Sequence, residues 1–495
     1  YAPGTYEALL LTHAHIDHSG QIPYLYKNGY RGPIYSTDAT MDLCDIMLRD
    51  SAHIQEQEAE WKNRKAQRSG AAMVEPDYTV EDAERVMKQF VPCPYGGWQT
   101  LFEDEGGKIE VCFTDVGHLL GSSSISVRVT EAGRAPEIIV FSGDIGNTHQ
   151  PLIKDPVTPP HADYLVMEST YGDRSHGPRP DYLGELTEVL QTTFDRGGNV
   201  VIPSFAVGRT QELLYFIRQI KVEGRIHGHD NFPVFVDSPL ASKSTTIFRE
   251  NFMECYDDEA MVLVKNGENP LWFPGLCISE TKEESMAINS DTTPKVILSA
   301  SGMCDAGRIR HHLKYNLWRP ECTVLFVGFQ SPGTLGNALL GGAKEVKLFG
   351  DEIQVKASIR RLSGLSGHAD QEGLANWLHA FDEKPKFVFV NHGEDAVADH
   401  WARRLREEGY DAEAPYNASV WVAEGGRVAC AETGNTKKIV KTPGVATVRS
   451  SAAYDRLVNM GKRLMTVIQH NQGGANKDLA RFASQIASLC DKWDR

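Results

Sequence analysis

Three histidines and one aspartate fall within six residues, His13-Ala14-His15-Ile16-Asp17-His18, directly after the apolar run Ala8-Leu9-Leu10-Leu11-Thr12. Imidazole nitrogen and carboxylate oxygen together suit zinc, and a site with about three protein ligands keeps a position open for water. At a tight turn His13 and His15 can point to one metal while Asp17 and His18 reach a second. A solvated loop with chance histidines is the competing reading, and only 17 histidines in 495 residues argue against it. His118 in TDVGHLLGS and Asp144 in FSGDIGN each follow an apolar strand-like run, where sheet-based sites gather side chains. Either one alone reads as a turn residue. Their combination with the histidine run points to a two-metal hydrolytic centre.

The elements that must position these groups alternate between β-rich and helical runs, the pattern of an α/β protein. YEALLLT reads as a strand ending in HAHIDHSG and a helix. From Ile109 to Ser169 the chain is mostly strands (IEVCFT, SSISVRV, EIIVFSG, DYLVMES) separated by turns, as a meandering sheet requires. From about Pro180 the texture becomes strictly alternating: GELTEVLQTTF, GRTQELLYFIRQI and GRIRHHLKYNL as helices, NVVIPS, FPVFVDS, KVILSA and CTVLFVGF as strands. After about Ile359 the first texture resumes with SGLSGHAD and KFVFVNHGE, so one domain is inserted in another. The expected divisions are 1–178, 179–358 for the insert, 359–442 for the return and 443–495 for a helical extension. In that extension Leu457, Met460, Leu464 and Val467 precede Gly473-Gly474, and Leu479, Phe482, Ile486, Leu489 and Trp493 follow it, the spacing of a helical hairpin. Packing on the same chain and homodimerisation are both open for it.

A net charge of −15 excludes a generally basic nucleic-acid-coating protein, but not a nucleic-acid substrate held by bound cations and a local groove. No apolar run reaches membrane-spanning length, so no membrane partner is expected. The nine cysteines form no CxxC pair and read as reduced residues of a cytoplasmic protein.

HAHIDHSG, GHLLGS and FSGDIG resemble the second, third and fourth motifs of the metallo-β-lactamase superfamily. The resemblance implies an αββα sandwich in which His13, His15 and His118 hold one zinc, Asp17 and His18 the other, with Asp144 bridging. The family's first motif, an Asp a few tens of residues upstream, has no counterpart in the twelve residues before His13, so the first strands of the fold are expected to be missing from this chain. Glu168 in MESTYGDR, His368 in LSGHAD and His392 in VNHGE resemble motifs A, B and C of the β-CASP branch, the nucleic-acid-processing nucleases. IPSFAVGRTQELL, VDSPLA and SASGMCDAGR resemble segments of bacterial and archaeal relatives of the cleavage and polyadenylation nuclease. That resemblance spans about residues 1 to 430 and makes the inserted α/β unit a β-CASP domain.

It implies that His392 completes the second metal's ligands and that His368, positioned by Glu168, faces the scissile phosphate as general acid. Asp17 joins Glu168 and His368 as a catalytic candidate. A His in motif C tips the substrate toward RNA, with a metal-bridging hydroxide as nucleophile, in exo- or endonucleolytic mode. Two zinc ions per chain are implied, manganese being the alternative. Ser366 and Gly367 beside His368 offer phosphate-binding groups. Arg209 and Arg308 at helix starts, and Ser301 in a Gly/Ser turn, are weaker phosphate candidates, such turns after strands being more often plain connections. The basic WKNRKAQRSG segment reads first as a solvated helix face and second as an RNA path. Two other functions compete: a thioester or lactam hydrolase, which has no use for Glu168 and His368 around an insert, and a silent RNA-binding subunit, which would lack ligands that are all present here.

Overall fold

The computed structural model describes residues 3–69, 73–178, 180–362, 366–424, 427–436, 449–473 and 475–493. Three short parallel strands come first, β1 (Leu9–Leu10), β2 (Ile34–Ser36) and β3 (Phe90–Pro92), side by side in that order. The strand expected over YEALLLT is thus only Leu9–Leu10 long, because its neighbour β2 pairs with no more of it. The long helix Asp38–Ser69 follows β2, and its basic end, with Trp61 about half exposed, is a solvated face.

The meander reads out as expected. Strands β4 (Gln99–Asp104), β5 (Gly107–Asp115), β6 (Ser123–Glu131) and β7 (Glu137–Phe141) pair antiparallel, and β8 (Tyr164–Met167) joins β7 in parallel. The insert then builds its own sheet from β9 (Val200–Pro203), β10 (Val234–Val236), β11 (Leu276–Ile278), β12 (Val296–Ser299), β13 (Thr323–Phe326) and β16 (Ser358–Arg361), after the small hairpin β14 (Glu345–Leu348) and β15 (Asp351–Gln354). The order β11-β10-β12-β9-β13-β16 is parallel throughout, and its central strands are fully buried, as helices on both faces require. Helices Tyr182–Asp195, Arg209–Val222 and Ile309–Asn316 are the ones the periodicity predicts, to within three residues at each end.

The chain then returns. Strand β17 (Phe387–Val390) pairs in parallel with β8, Val390 beside Met167, and β18 (Ala412–Glu413) follows it. Residues on either side of the insert therefore share one seven-stranded sheet, β18-β17-β8-β7-β6-β5-β4. Beyond β18 come the antiparallel pair β19 (Val420–Glu424) and β20 (Arg427–Glu432). Helices Arg449–His470 and Asn476–Trp493 form the extension. The expected boundary at 442/443 and Gly474 lie outside the described residues. The first helix lies on the body of the chain, with Met460 against Gly29 and Arg463 against Gly4, while Leu489 and Trp493 of the second stay exposed. No helix among the described residues is long and apolar enough to cross a membrane.

One polar knot locks the insert together. Asp237, fully buried at the end of β10, accepts hydrogen bonds from His312 Nε2 (2.6 Å), Ser285 Oγ (2.6 Å) and Arg308 Nη1 (2.7 Å). Burial alone would raise its carboxyl, but the donors from His312, Ser285 and Arg308 outweigh that and hold it below the usual carboxylate range. A carboxyl depressed in this way stabilises the fold above its ordinary value of 3.8, and the contribution is lost as pH falls through the lower folded value. Asp237→Ala leaves Arg308 and His312 without their acceptor and is expected to cost about 3–5 kcal/mol. Urea denaturation followed by circular dichroism checks this; an unchanged first transition would contradict it.

Candidate metal centre

The histidines and acids of the proposed centre lie just beyond strand ends, Asp17 and His18 in the short helix Ile16–Ser19 and the others at the strand end or in the following loop. His13, His15, Asp17 and His18 follow β1, His118 follows β5, Asp144 follows β7, Glu168 follows β8 and His392 follows β17. Two backbone features make the gathering feasible. Gly143 takes a left-handed φ of +60°, and a Cβ there would stand 2.8 Å from Ser123 O and 2.9 Å from Thr12 Cβ. His392 itself is left-handed, with φ +43°, a conformation uncommon for a side-chain-bearing residue and typical of functional positions. Its carbonyl is held by Ser169 N at 2.8 Å.

Asp144 is the point on which the groups converge. Its Oδ2 lies 3.4 Å from His13 Nε2 and 3.6 Å from His118 Nε2, and its Oδ1 lies 3.4 Å from both His18 Nε2 and His392 Nε2. His15 Nδ1 stands 3.1 Å from His118 Nε2, and Asp17 Oδ2 3.8 Å from His18 Nε2. The donors thus fall into two groups, His13, His15 and His118 with Asp144, and Asp17, His18 and His392, which the two oxygens of Asp144 join. Buried His13 Nε2, His18 Nε2 and Asp144 Oδ1 have no hydrogen-bond partner among the described residues. Orphaned polar atoms are costly when buried, and here the orphans all aim into the same space. That fits divalent cations bound by imidazole and carboxylate.

The electrostatics agree. Burial lowers His13 and His118 well below the ordinary histidine range, and His15 to about 4, so these imidazoles are neutral and ready to ligate. For Asp144, burial acts to raise the carboxyl, but His18, His13 and His118 outweigh it and keep it ionised.

His368 stands on a third side of Asp144, with Nε2 3.9 Å from Oδ2. Its Nδ1 is 3.1 Å from Glu168 Oε2. Burial opposes protonation of His368, yet the Glu168 charge and hydrogen bond push it up to about 9. Glu168 is nearly inaccessible and is fixed by Ile145 N, Thr170 N and, through its own amide, Ser142 Oγ. The segment carrying His368 is stitched to the Asp144 loop by Ala369 N to Ile145 O (2.8 Å) and Asn147 N to Gly367 O (3.2 Å).

The phosphate candidates divide. Gly367 lies against the His118 ring, and its carbonyl is 3.0 Å from His118 Nδ1, so it orients a ligand. Ser366 Oγ bonds the amide and carbonyl of His368 and shapes that turn. Ser366 and Arg209 both line a cavity of about 450 Å³ beside Ile145 and Gly146, although Arg209 pairs with Glu212. Arg308 is elsewhere: its guanidinium binds Asp237, Ser279 O and Glu280 O in the insert's polar knot, so its charge serves the fold. Ser301 lies in the loop after β12, away from Asp144's circle of donors. Asp370 caps helix Gln371–His379 and also accepts from Ser175 Oγ and His176 N, which anchors the turn that carries His368.

Sequence reasoning missed the groups that aim the ligands. Thr12 Oγ1 is 3.2 Å from His13 Nδ1, and Ser122 Oγ accepts from His118 N (3.0 Å) and Leu119 N (3.1 Å). Their signal was adjacency: Thr12 precedes the histidine run, and Ser122 closes the GHLLGS turn.

Comparison with known proteins places this geometry. Residues 210–339 match the Beta-Casp domain, and residues 352–415 match a Zn-dependent metallo-hydrolase RNA specificity domain. The chain is 36% identical over 397 residues to ribonuclease TTHA0252 of Thermus thermophilus, covering 80% of this chain and 83% of that protein. It is 30% identical over 430 residues to the transcription termination factor FttA of Pyrococcus abyssi, covering 84% of this chain and 61% of that protein. The FttA of Methanocaldococcus jannaschii is also 30% identical, over 411 residues, 81% of this chain and 60% of that protein. The chain therefore spans about three fifths of the archaeal factors.

Thr12→Val keeps the shape and removes the hydroxyl beside His13. Partners of this kind typically contribute 10- to 100-fold to metal affinity, so a loss of about tenfold is expected. Competition for zinc with a fluorescent chelator measures it, and equal affinity would remove Thr12 from the site.

Proposed function

The chain belongs to the β-CASP family of the metallo-β-lactamase superfamily, and from that membership we propose that it is a zinc-dependent ribonuclease that hydrolyses phosphodiester bonds of single-stranded RNA in RNA processing or decay in the cytoplasm. The observation that carries the reading is the division of donors about Asp144, with the protonated His368–Glu168 pair on the remaining side. His13, His15, His118 and Asp144 would hold one zinc, and Asp17, His18, His392 and Asp144 the other. When bound, the metals supply a water nucleophile at neutral pH and neutralise charge on the phosphate. The imidazole-rich donor set favours zinc over manganese.

The chain's own residues supply the rest. Neutral His13, His15 and His118 give up no proton on ligating. Asp144 stays ionised and keeps the two donor groups in register. The Glu168 charge that raises His368 keeps Nε2 protonated while Nδ1–H faces Glu168, and Nε2–H faces the side where a leaving oxygen needs that proton. Glu168 fixes the ring's orientation and charge and is itself fixed by backbone amides. This division of labour resembles that of a general acid with a carboxylate orienter.

Elemental analysis of dialysed protein is expected to give two zinc per chain, and chelation to abolish cleavage of labelled RNA. Full-length RNA persisting with zinc-loaded protein overturns the reading. His368→Ala is expected to lower kcat roughly 10²- to 10⁴-fold with metal content unchanged. Activity should fall as pH rises through the titration of His368, at or below about 9, since bound cations oppose the Glu168 shift. Glu168→Gln removes the negative charge that raises His368, so this descending limb moves to lower pH. A limb that stays in place would separate His368 from the proton transfer.

A further inference from the structure

The loops at the carboxyl ends of β9, β12 and β13 meet on one edge of the insert. In open parallel sheets ligands bind at that edge, where the strand order reverses, and here it reverses about β9. This edge adjoins the metal centre. Gly208, ending the β9 loop, packs near Leu119, next to the ligand His118: a Cβ on Gly208 would stand 3.2 Å from Leu119 Cδ1. Strand β16 in turn leads toward Ser366 and His368.

Two phenylalanines stand out from this edge, Phe205 at 49% exposure and Phe329 at 56%. A single exposed apolar side chain is ordinary and needs no explanation. The Phe205 ring has a built support, and Phe329 stands on a loop tied to it. The ring of Phe205 rests on glycine: a Cβ on Gly302 would stand 3.3–3.5 Å from its Cε2, Cδ2 and Cζ, and one on Gly328 3.9 Å from its Cε2. One side of the ring is therefore backed by bare backbone while half of the residue stays in solvent. The loops are also fixed in place. Phe205 O accepts from Thr210 Oγ1 at 2.7 Å, and the buried Gln330 amide donates to Gly302 O (2.9 Å) and to Phe329 O (3.1 Å). Gln330 thus ties the glycine floor to the second aromatic.

We propose that Phe205 and Phe329 form a stacking platform for unpaired nucleobases of the RNA strand whose phosphodiester lies in the metal centre. This rests on the ribonuclease reading above. A rigid, one-sided aromatic face accepts any base, because every base offers a π-face, and it gives affinity without sequence preference. A base inside a duplex has no free face to offer, so the platform selects single strands. Ser301, a phosphate candidate on sequence, adjoins Gly302 in the loop after β12 that backs Phe205.

The test uses zinc-loaded full-length protein and a single-stranded 12-mer RNA. Phe205→Ala and Phe205→Leu are each expected to raise KM about tenfold, the scale of one lost base stack, and Phe205→Trp to stay near the parent. The Leu variant keeps apolar volume, and circular dichroism confirms folding. An abasic nucleotide walked along the RNA should reproduce the tenfold loss at one position and cause no further loss there in Phe205→Ala; Phe329→Ala should show the same behaviour at a neighbouring position. Unchanged KM in the Ala variants, as a protein-docking role would give, overturns the platform, and so do abasic penalties that add to the variant at every position. If the unmutated chain cleaves no RNA, the ribonuclease reading fails and takes the platform with it, which separates the two failures.

Discussion

A buried carboxylate needs positive charge around it, and Asp144 organises the molecule on that condition. Taking an ionised group out of water costs several kcal/mol unless it is paired, and Asp144 is 2% exposed. Four imidazole nitrogens lie within 3.6 Å of its two oxygens, contributed by loops after three different strands. Burial drives two of those four, His13 and His118, toward the neutral form, so they do not by themselves neutralise the carboxylate. A retained carboxylate beside the neutral donors His13, His15 and His118 is an arrangement that divalent cations resolve. Each loop is then placed to serve that shell: the left-handed turn at Gly143, the left-handed His392, and the amides that grip Glu168.

The insert is part of the same solution. It leaves the sheet after β8 and returns at β17, and these two strands, paired with each other, carry Glu168 and His392 at their ends. His368 arrives on the segment that links the insert's edge strand β16 back to that sheet. Groups far apart in sequence are thus set by one hydrogen-bonded register, Val390 beside Met167. Rigid strand ends supply the precision that loops alone lack.

Much of this was legible in the sequence, for identifiable reasons. HxHxDH, GHLLGS and FSGD place several ligand-type side chains in very few residues, and the change from meander to strict strand–helix alternation marks the insert. What stayed hidden depends on partners distant in the chain. Arg308 looked like a helix-start phosphate contact, since nothing local reveals Asp237 facing it from another strand. The first strand is two residues long because its neighbour pairs with no more, a fact periodicity does not carry. Thr12 and Ser122 stayed unnoticed because a single hydroxyl beside a histidine has no spacing signature. Nothing local marks Phe205 and Phe329 as exposed, because that depends on how the loops after β9 and β13 pack.

The pairing of β8 with β17 also ties one of the two donor groups to the folding of the insert. Closing a chain segment as long as the whole insert is entropically costly until the insert has folded and drawn its own ends together. His13, His15, His118 and Asp144 all precede the insert in the chain, whereas His392 follows it, just after β17, which lies between β8 and β18. Only the second group of donors therefore depends on the insert's closing the chain back onto the sheet.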